Sequence, residues 1–323
     1  MQSSKKISLI IKVLIILLTF GFLYKKVFSN EDFSGMKLWF LSILETKNPW
    51  KFIVVIFLML FNWFVEAIKW KYLINKLESV SLWLSIKAIF LGITVSIFTP
   101  NRVGEFGGRV FCLEKADRIK SVLLTVIGNV SQLVVTIVFG LLALCYYTFQ
   151  YESLPFPFFN QYKFLLISFV FLVIGFVLFI YLNTSFLTFL LRKIPYVKRY
   201  QDYIKVFSYF SFNELLNIFY FSFFRYIIFS FQFYLLMCFF DVEITFLQSV
   251  TMSSLTFLSM SIIPTIALTE IGVRGSVAVF FFGLLSDNLL GITTAAFSLW
   301  AINLVLPAII GVFFVYNLKF FRS

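Results

Sequence analysis

Residues 82–109 read LWLSIKAIFLGITVSIFTPNRVGEFGGR, an apolar run that ends in a break rich in proline and glycine. The run stops at Phe98, and the break contains Pro100, Gly104, Gly107 and Gly108 before apolar residues resume. Irregular backbone at membrane depth is tolerated only where it is buried in protein or faces water. The pattern therefore predicts a re-entrant hairpin, whose two half-length helical arms enter a bilayer and return to the same side.

The composition indicates that the whole chain belongs in a bilayer. Of its 323 residues, 61% are hydrophobic and 13% are charged, whereas about 25% of the residues of a soluble domain are charged. So few charges could not cover the surface of a soluble fold of this size. The apolar residues come in long blocks, unlike the alternating strands of a barrel. We therefore expect an all-α polytopic membrane protein.

The residue types also exclude several kinds of site. The chain has no histidine, so a His-based catalytic triad, a haem ligand or a His-containing zinc site cannot form. The cysteines are Cys112, Cys145 and Cys238, which are too far apart for a metal motif. We expect no catalytic residue, no metal and no cofactor. The net charge of +12 indicates basic cytoplasmic loops and anionic lipid rather than a nucleic-acid partner.

Six stretches are predicted to span the bilayer completely. They lie at about 7–24, 51–70, 121–147, 163–183, 214–240 and 291–316. If the N-terminus is cytoplasmic and each broken stretch returns to its own side, most Lys and Arg residues of the loops fall inside, as the positive-inside rule requires. We therefore expect one domain over 1–323 in a bacterial-type inner membrane, with both termini cytoplasmic. Residues 184–212 are predicted to be a cytoplasmic or interfacial connector.

The break has a second copy. Glu105 to Arg109 and Glu270 to Arg274 both read E-x-G-x-R, the second with Pro264 upstream and Gly272 at its centre. Three full spans separate the copies, so the two hairpins are predicted to enter from opposite faces. Repeat one would cover about 51–147 and repeat two about 214–316. Inverted repeats with broken helices at mid-membrane are typical of secondary transporters.

Ionisable and polar residues in these apolar surroundings are the candidate substrate-binding groups. They are Glu105, Arg109, Arg225, Glu270, Arg274, Gln132 and Asn303. A charge at bilayer depth costs about 2.5–3.5 kcal/mol on insertion scales. By contrast, we expect Glu66 to reach the membrane surface beside Lys69.

Two interpretations of these residues stay open. The Glu and Arg of each motif, four residues apart, could simply pair with each other and hold the hairpin shut. Alternatively, the arginines offer forks for a lipid phosphate. Arg225 has no acidic residue within a helical turn in sequence, which favours a ligand. For Gln132 and Asn303 the simpler interpretation is hydrogen bonding between helices.

The segments Thr99–Arg109 and Ile263–Arg274 resemble the flippase-like membrane family, over roughly residues 7–316. That family includes the transmembrane half of lysylphosphatidylglycerol synthetase/flippases, the multiple peptide resistance factors. The resemblance implies an inner-membrane protein that moves an aminoacylated phospholipid or a polyprenyl-phosphate or glycolipid carrier between leaflets. The chain stops soon after its last span, so we expect no soluble synthetase domain and no synthesis of lysyl-lipid.

We therefore expect a lipid translocase that works by alternating access and binds a lipid with an anionic headgroup. The alternative is a non-transporting membrane scaffold that presents lipid to a separate lipid-modifying enzyme. A membrane-embedded transferase is a third hypothesis, weakened by the missing histidine.

Overall fold

A computed structural model of the protein describes residues 49–97, 99, 102–150, 163–183, 201–263 and 270–315, and the isolated positions 17, 186, 188 and 193. The predicted span at 7–24, apart from position 17, lies outside these residues, as does most of the predicted connector before residue 201. Pro100, Pro264 and the side chain of Glu270 also lie outside them.

The described residues form helices and no strands. In chain order the helices are α1 (Pro49–Ile74), α2 (Leu82–Ser96), α3 (Gly104–Val110), α4 (Arg118–Gln150), α5 (Lys163–Leu182), α6 (Phe212–Phe239), α7 (Phe246–Ile262), α8 (Glu270–Phe282) and α9 (Leu289–Val312). A one-turn helix at Gln201–Ile204 and a 3₁₀ turn at Lys205–Tyr209 precede α6. One π-helical turn, Ala301–Val305, interrupts α9.

Five of these helices are long and apolar enough to cross a membrane: α1, α4, α5, α6 and α9. At 1.5 Å per residue, a helix needs about 20 residues to cross the hydrocarbon core. The five helices correspond to the five predicted spans that follow residues 7–24, and their bounds differ by a few residues. The protein is thus an all-α integral membrane protein.

The first break is shorter than predicted. Helix α2 ends at Ser96, and α3 begins at Gly104, whose N–H donates to Thr99 Oγ1 at 2.8 Å. Gly107 and Gly108, predicted to lie in the break, are inside α3. Gly272 likewise lies inside α8. These motif glycines are therefore helical residues rather than hairpin breaks.

Gly108 is the residue of α3 at which the backbone of a neighbouring helix comes very close, which leaves no room for a side chain. A Cβ atom on Gly108 would lie 2.7 Å from Gly92 Cα and 2.8 Å from the Leu91 carbonyl oxygen of α2. Small residues allow this kind of approach between membrane helices. The position of Gly108 is taken by Val273 in the second copy of the motif. The close approach at Gly108 therefore has no glycine counterpart in the second copy.

Helices α1, α4 and α6 pack against one another at the centre of the bundle. Helices α2 and α3 pack together and contact α1 and α4, while α7 and α8 pack together and contact α4, α6 and α9. Helix α5 lies at the edge, with side chains such as Phe164 and Leu172 exposed. An exposed apolar face of this kind fits contact with lipid tails.

Hydrogen bonds join the residues on either side of each segment that is predicted to be a hairpin. The Glu78 carboxylate, after α1, accepts hydrogen bonds from the N–H groups of Lys115 and Ala116, just before α4, at 2.8 and 2.7 Å. The Asn288 amide, before α9, donates to the carbonyls of Phe240 and Asp241 after α6, at 3.1 and 3.2 Å. The Glu78 contacts bracket residues 82–113, and the Asn288 contacts bracket residues 242–287.

The two contacts lie at opposite ends of α6. Lys76, two residues before Glu78, pairs with Glu214 in the first turn of α6 at 2.5 Å. Phe240, which binds Asn288, is the C-cap of the same helix. At 1.5 Å per residue, Glu214 and Phe240 are about 39 Å apart along α6.

Candidate functional site

Five charged side chains meet inside the helix bundle. Together with the polar residues that contact them, they form what we call the charge cluster: Asn62, Glu66 and Lys69 of α1, Glu105 and Arg109 of α3, Gln132 of α4, and Ser222 and Arg225 of α6. The predicted residues Glu105, Arg109, Arg225 and Gln132 are brought together here, from three different helices.

Glu66 is the centre of the charge cluster. Its Oε1 atom accepts from Arg109 Nη1 at 2.8 Å, and its Oε2 atom pairs with Lys69 Nζ at 2.8 Å and with Arg225 Nη1 at 2.5 Å. The residue is 1% exposed. Charges removed from water are stable only when paired and hydrogen-bonded, so one carboxylate holds three cations from three helices.

The prediction that Glu66 reaches the membrane surface is wrong. Helix α1 runs to Ile74, four residues beyond the predicted end of the span, so Glu66 lies about 12 Å inside the helix. Lys69 is also 1% exposed and turns inward. It donates to the Gly128 carbonyl at 3.2 Å and to Ser222 Oγ at 3.4 Å, in addition to Glu66.

A sequence signal for this part of the charge cluster existed. Asn62, Glu66 and Lys69 follow one another at intervals of four and three residues in an apolar helix, which places them on one face. Three polar side chains on one face of a membrane helix point to the bundle interior.

Arg109 connects the broken segment α2–α3 to the charge cluster. Besides Glu66 it binds Glu105, through its Nη2 atom. The first E-x-G-x-R motif therefore forms the internal ion pair that its spacing allows. Arg109 Nε is buried and has no hydrogen-bond partner among the described residues.

Arg225 lies near the middle of α6, about 20 Å from Phe212. Its Nε atom donates to Asn62 Oδ1 at 2.8 Å, and Nη1 also reaches Gln132 Oε1 at 3.4 Å. The guanidinium stacks over the Trp63 ring, 5.1 Å from the centroid. Its acidic partner is Glu66, 159 residues away in sequence, which no local pattern could reveal.

Two apolar clusters enclose the charge cluster along the bundle. One contains Trp70 and Leu73 of α1 with Leu215 of α6, and the other contains Met59 of α1 with Phe233 of α6. The charged residues of α1 and α6 lie between them. The most exposed ionic side chains of the cluster are those of Glu105 and Arg225, at 17% and 14%, and we call these two residues its open edge.

The remaining predicted residues lie elsewhere. Arg274 is half-buried on α8, and the ion pairs of Glu66 described above do not include it. Asn303 is buried in the π-helical turn of α9 and donates to the Leu299 carbonyl of its own helix at 3.0 Å. Its bond is therefore local rather than between helices.

The comparisons with known proteins identify the family. Residues 9–311 match the family model described as the lysylphosphatidylglycerol synthase transmembrane region. No curated protein and no solved structure matched the chain. The matched range contains both E-x-G-x-R motifs and the entire charge cluster. This confirms the resemblance predicted from the two motifs: the chain belongs to the family of lysylphosphatidylglycerol synthase transmembrane regions.

Proposed function

We propose that the protein is a lipid translocase that moves a phosphate-bearing lipid between leaflets by alternating access. The observation that carries the proposal is the buried set of three cations, Lys69, Arg109 and Arg225, shared by two membrane-spanning helices and the broken segment α2–α3. Intramembrane ionisable groups that face the bundle interior mark substrate pathways in membrane proteins. Arginine forks are suited to phosphate because they bind its oxygens in pairs.

Arg225 is the group that meets the headgroup in this proposal. Its Nε and Nη1 atoms are engaged by Asn62, Glu66 and Gln132, while Nη2 has no partner among the described residues. The side chain is partly exposed, so this edge of the guanidinium can donate a hydrogen bond to a phosphate oxygen while the lipid tail stays in the bilayer. The bonds to Asn62 and Gln132 hold the fork in place before the lipid arrives.

Alternating access is proposed to use the two broken segments as gates. The Glu78 and Asn288 contacts support this layout, since they close the segments at opposite ends of α6. The repeated E-x-G-x-R motif supports an inverted pair of re-entrant hairpins. We further propose that Arg274 and Glu270 serve the second gate, and that proton or headgroup exchange at the Glu and Arg of the two motifs opens each gate.

The charges at the two ends of the bundle support an orientation in a bacterial-type inner membrane. Lys115 and Lys120 lie at the end where α4 begins, whereas the exposed Asp241, Glu243 and Asp287 lie at the other end. Positive residues are retained on the cytoplasmic side. The end at which α4 begins, and with it the chain termini, is therefore proposed to be cytoplasmic.

A labelling experiment tests both the orientation and the hairpins. In a background with the native cysteines replaced by alanine, Ser79→Cys and Lys115→Cys flank the first broken segment, and Glu243→Cys and Asp287→Cys flank the second. We expect a membrane-impermeant maleimide added to intact cells to label the second pair and to leave the first pair unlabelled until the cells are opened. If the two members of either pair differ in labelling, that segment crosses the membrane completely, and the inverted-hairpin mechanism is excluded.

Transport itself is tested in proteoliposomes. Purified protein is reconstituted with a fluorescent phosphatidylglycerol, and dithionite measures the fraction of label in the outer leaflet over time. We expect the wild-type protein to exchange the lipid between leaflets. Arg225→Lys keeps the positive charge but loses the Nη2 donor that is assigned to the phosphate oxygen. The exchange rate should therefore fall by about tenfold or more, the factor expected when a charge-assisted hydrogen bond is lost.

A matched control separates this loss from misfolding. Lys76→Ala removes a cation from the partly exposed pair with Glu214, at the end of the bundle, and should leave exchange unchanged. The Arg225→Lys protein should also elute from size exclusion as the wild type does. Exchange by Arg225→Lys at the wild-type rate would contradict the assigned role of Arg225.

The alternative function is a non-transporting scaffold that presents lipid to a separate enzyme. The pairing of Glu66 with three cations favours this alternative, because a buried ion-pair network can hold helices together without binding any ligand. A wild-type protein that exchanges neither phosphatidylglycerol nor a polyprenyl-phosphate would establish this alternative. We propose no chemistry on the headgroup, so a changed headgroup after the assay would point to an enzyme instead.

A further inference from the structure

Among the residues that the structure describes, the charge cluster carries an unbalanced positive charge. Lys69, Arg109 and Arg225 contribute three cations, while Glu66 and Glu105 contribute two carboxylates. With each group in its ordinary ionised form, the formal sum is one positive charge. An uncompensated charge in a water-poor site is costly, so a ligand of one negative charge would stabilise the charge cluster most.

The excess charge lies at the open edge of the charge cluster. Both oxygens of Glu66 are occupied, and Lys69 has an oxygen partner for each of its three donors. Among the described residues, the donors without a partner are the Nη2 atom of the partly exposed Arg225 and the buried Nε of Arg109. A headgroup entering at the edge therefore meets Arg225 first.

Glu105 limits how much negative charge the site can take. Its Oε1 atom binds Arg109, and its Oε2 atom has no partner among the described residues. Because Glu105 is joined to Arg225 through Arg109 and Glu66, its carboxylate would repel a second negative charge on a ligand bound at Arg225. An ammonium on the ligand could pair with Glu105, but it would leave the positive charge of the cluster unbalanced.

We infer that the site selects a lipid headgroup of one net negative charge, a phosphodiester that carries no amine, and that Glu105 is the residue that sets this selectivity. The inference rests on the proposed function, since it names the substrate class of the same site. Two membrane sources carry this chemistry: a glycerophospholipid such as phosphatidylglycerol, and a polyprenyl-phosphoryl sugar.

Binding competition tests the inference without transport. Purified wild-type protein in detergent is loaded with fluorescent phosphatidylglycerol, and unlabelled lipids displace it. We expect phosphatidylglycerol or a polyprenyl-phosphoryl sugar to compete at least about tenfold better than phosphatidylethanolamine, lysylphosphatidylglycerol or the doubly charged cardiolipin, since one lost charge pairing is worth about that factor. Whichever of the two singly charged lipids competes better shows whether the site takes a glycerophospholipid or a polyprenyl-phosphoryl sugar. Equal competition by phosphatidylethanolamine overturns the inference.

The Glu105→Gln variant tests the assigned residue. Glutamine keeps an oxygen for Arg109 but raises the formal sum to two positive charges, so the preference should shift toward cardiolipin. Asp202→Asn removes a carboxylate from an exposed pair with Lys205 and should keep the wild-type order. Unchanged selectivity in Glu105→Gln contradicts the role of Glu105. Selective binding without lipid exchange would overturn the translocase proposal alone, whereas exchange without charge selectivity would overturn the inference alone.

Discussion

Glu66→Ala is expected to destabilise the protein by about 3–5 kcal/mol, the cost of removing one partner of a buried ion pair. The variant leaves Lys69 and Arg225 without a carboxylate partner, and leaves Arg109 with Glu105 alone. Their repulsion would push α1, α3 and α6 apart. Thermal unfolding in detergent, followed by tryptophan fluorescence, should show a much lower midpoint and little monodisperse protein.

The comparison with other carboxylates makes this result specific. Glu66→Gln keeps the shape of the side chain and one oxygen acceptor but removes the negative charge. Its unfolding midpoint should fall between those of Glu66→Ala and the wild type. Asp202→Ala removes a carboxylate whose pair with Lys205 is open to solvent, and it should not shift the midpoint. A Glu66→Ala midpoint equal to that of Asp202→Ala would mean that Glu66 does not hold the three cations.

Gly108→Ala is expected to destabilise the protein although alanine is the better helix former. The new Cβ atom would lie 2.7 Å from Gly92 Cα, a backbone atom that cannot rotate away. Overpacking of this kind costs about 1–3 kcal/mol. Because α3 also carries Arg109, its displacement from α2 should weaken the ion pair between Arg109 and Glu66 of α1 and slow lipid exchange as well.

The neighbouring residue provides the matched control. A Cβ atom on Gly107 would meet only Phe111 Cε2, at an ordinary 3.6 Å. Gly107→Ala should therefore gain about 0.5–1 kcal/mol from the helix propensity of alanine. The same substitution at adjacent positions is thus expected to change the free energy of unfolding in opposite directions. If both variants gain stability, the close approach of α2 and α3 is refuted.

Hydropathy along the chain predicted the long helices well because it depends on local sequence. The span predicted at 214–240 corresponds to α6, Phe212–Phe239, and that predicted at 163–183 to α5, Lys163–Leu182. The first break was also predicted, but its extent was not. Glycine is read in sequence as a helix breaker, whereas Gly107 and Gly108 are helical, and Gly108 packs against another helix.

The charge cluster was predicted only in part. Arg225 stood out because it is an isolated charge in an apolar segment, and Glu105 and Arg109 because they belong to the repeated motif. Glu66 did not, because it is close to Lys69 and to the predicted end of its span. A span that ends only four residues later, at Ile74, moves the pair from the membrane surface to the interior.

The sequence by itself determined that this protein lies in a membrane, which segments are helical, where the first helix is interrupted and which family it belongs to. The interruption meant here is the break between α2 and α3. Membrane location, helical segments, this break and the family all follow from hydropathy, helical periodicity and motifs, which are local. Only the tertiary structure decided that Glu66 joins Arg109 and Arg225, which are 43 and 159 residues away from it in sequence. The pairing of charges between helices depends on how each helix is rotated and how deep it lies, and both are fixed by packing with the other helices.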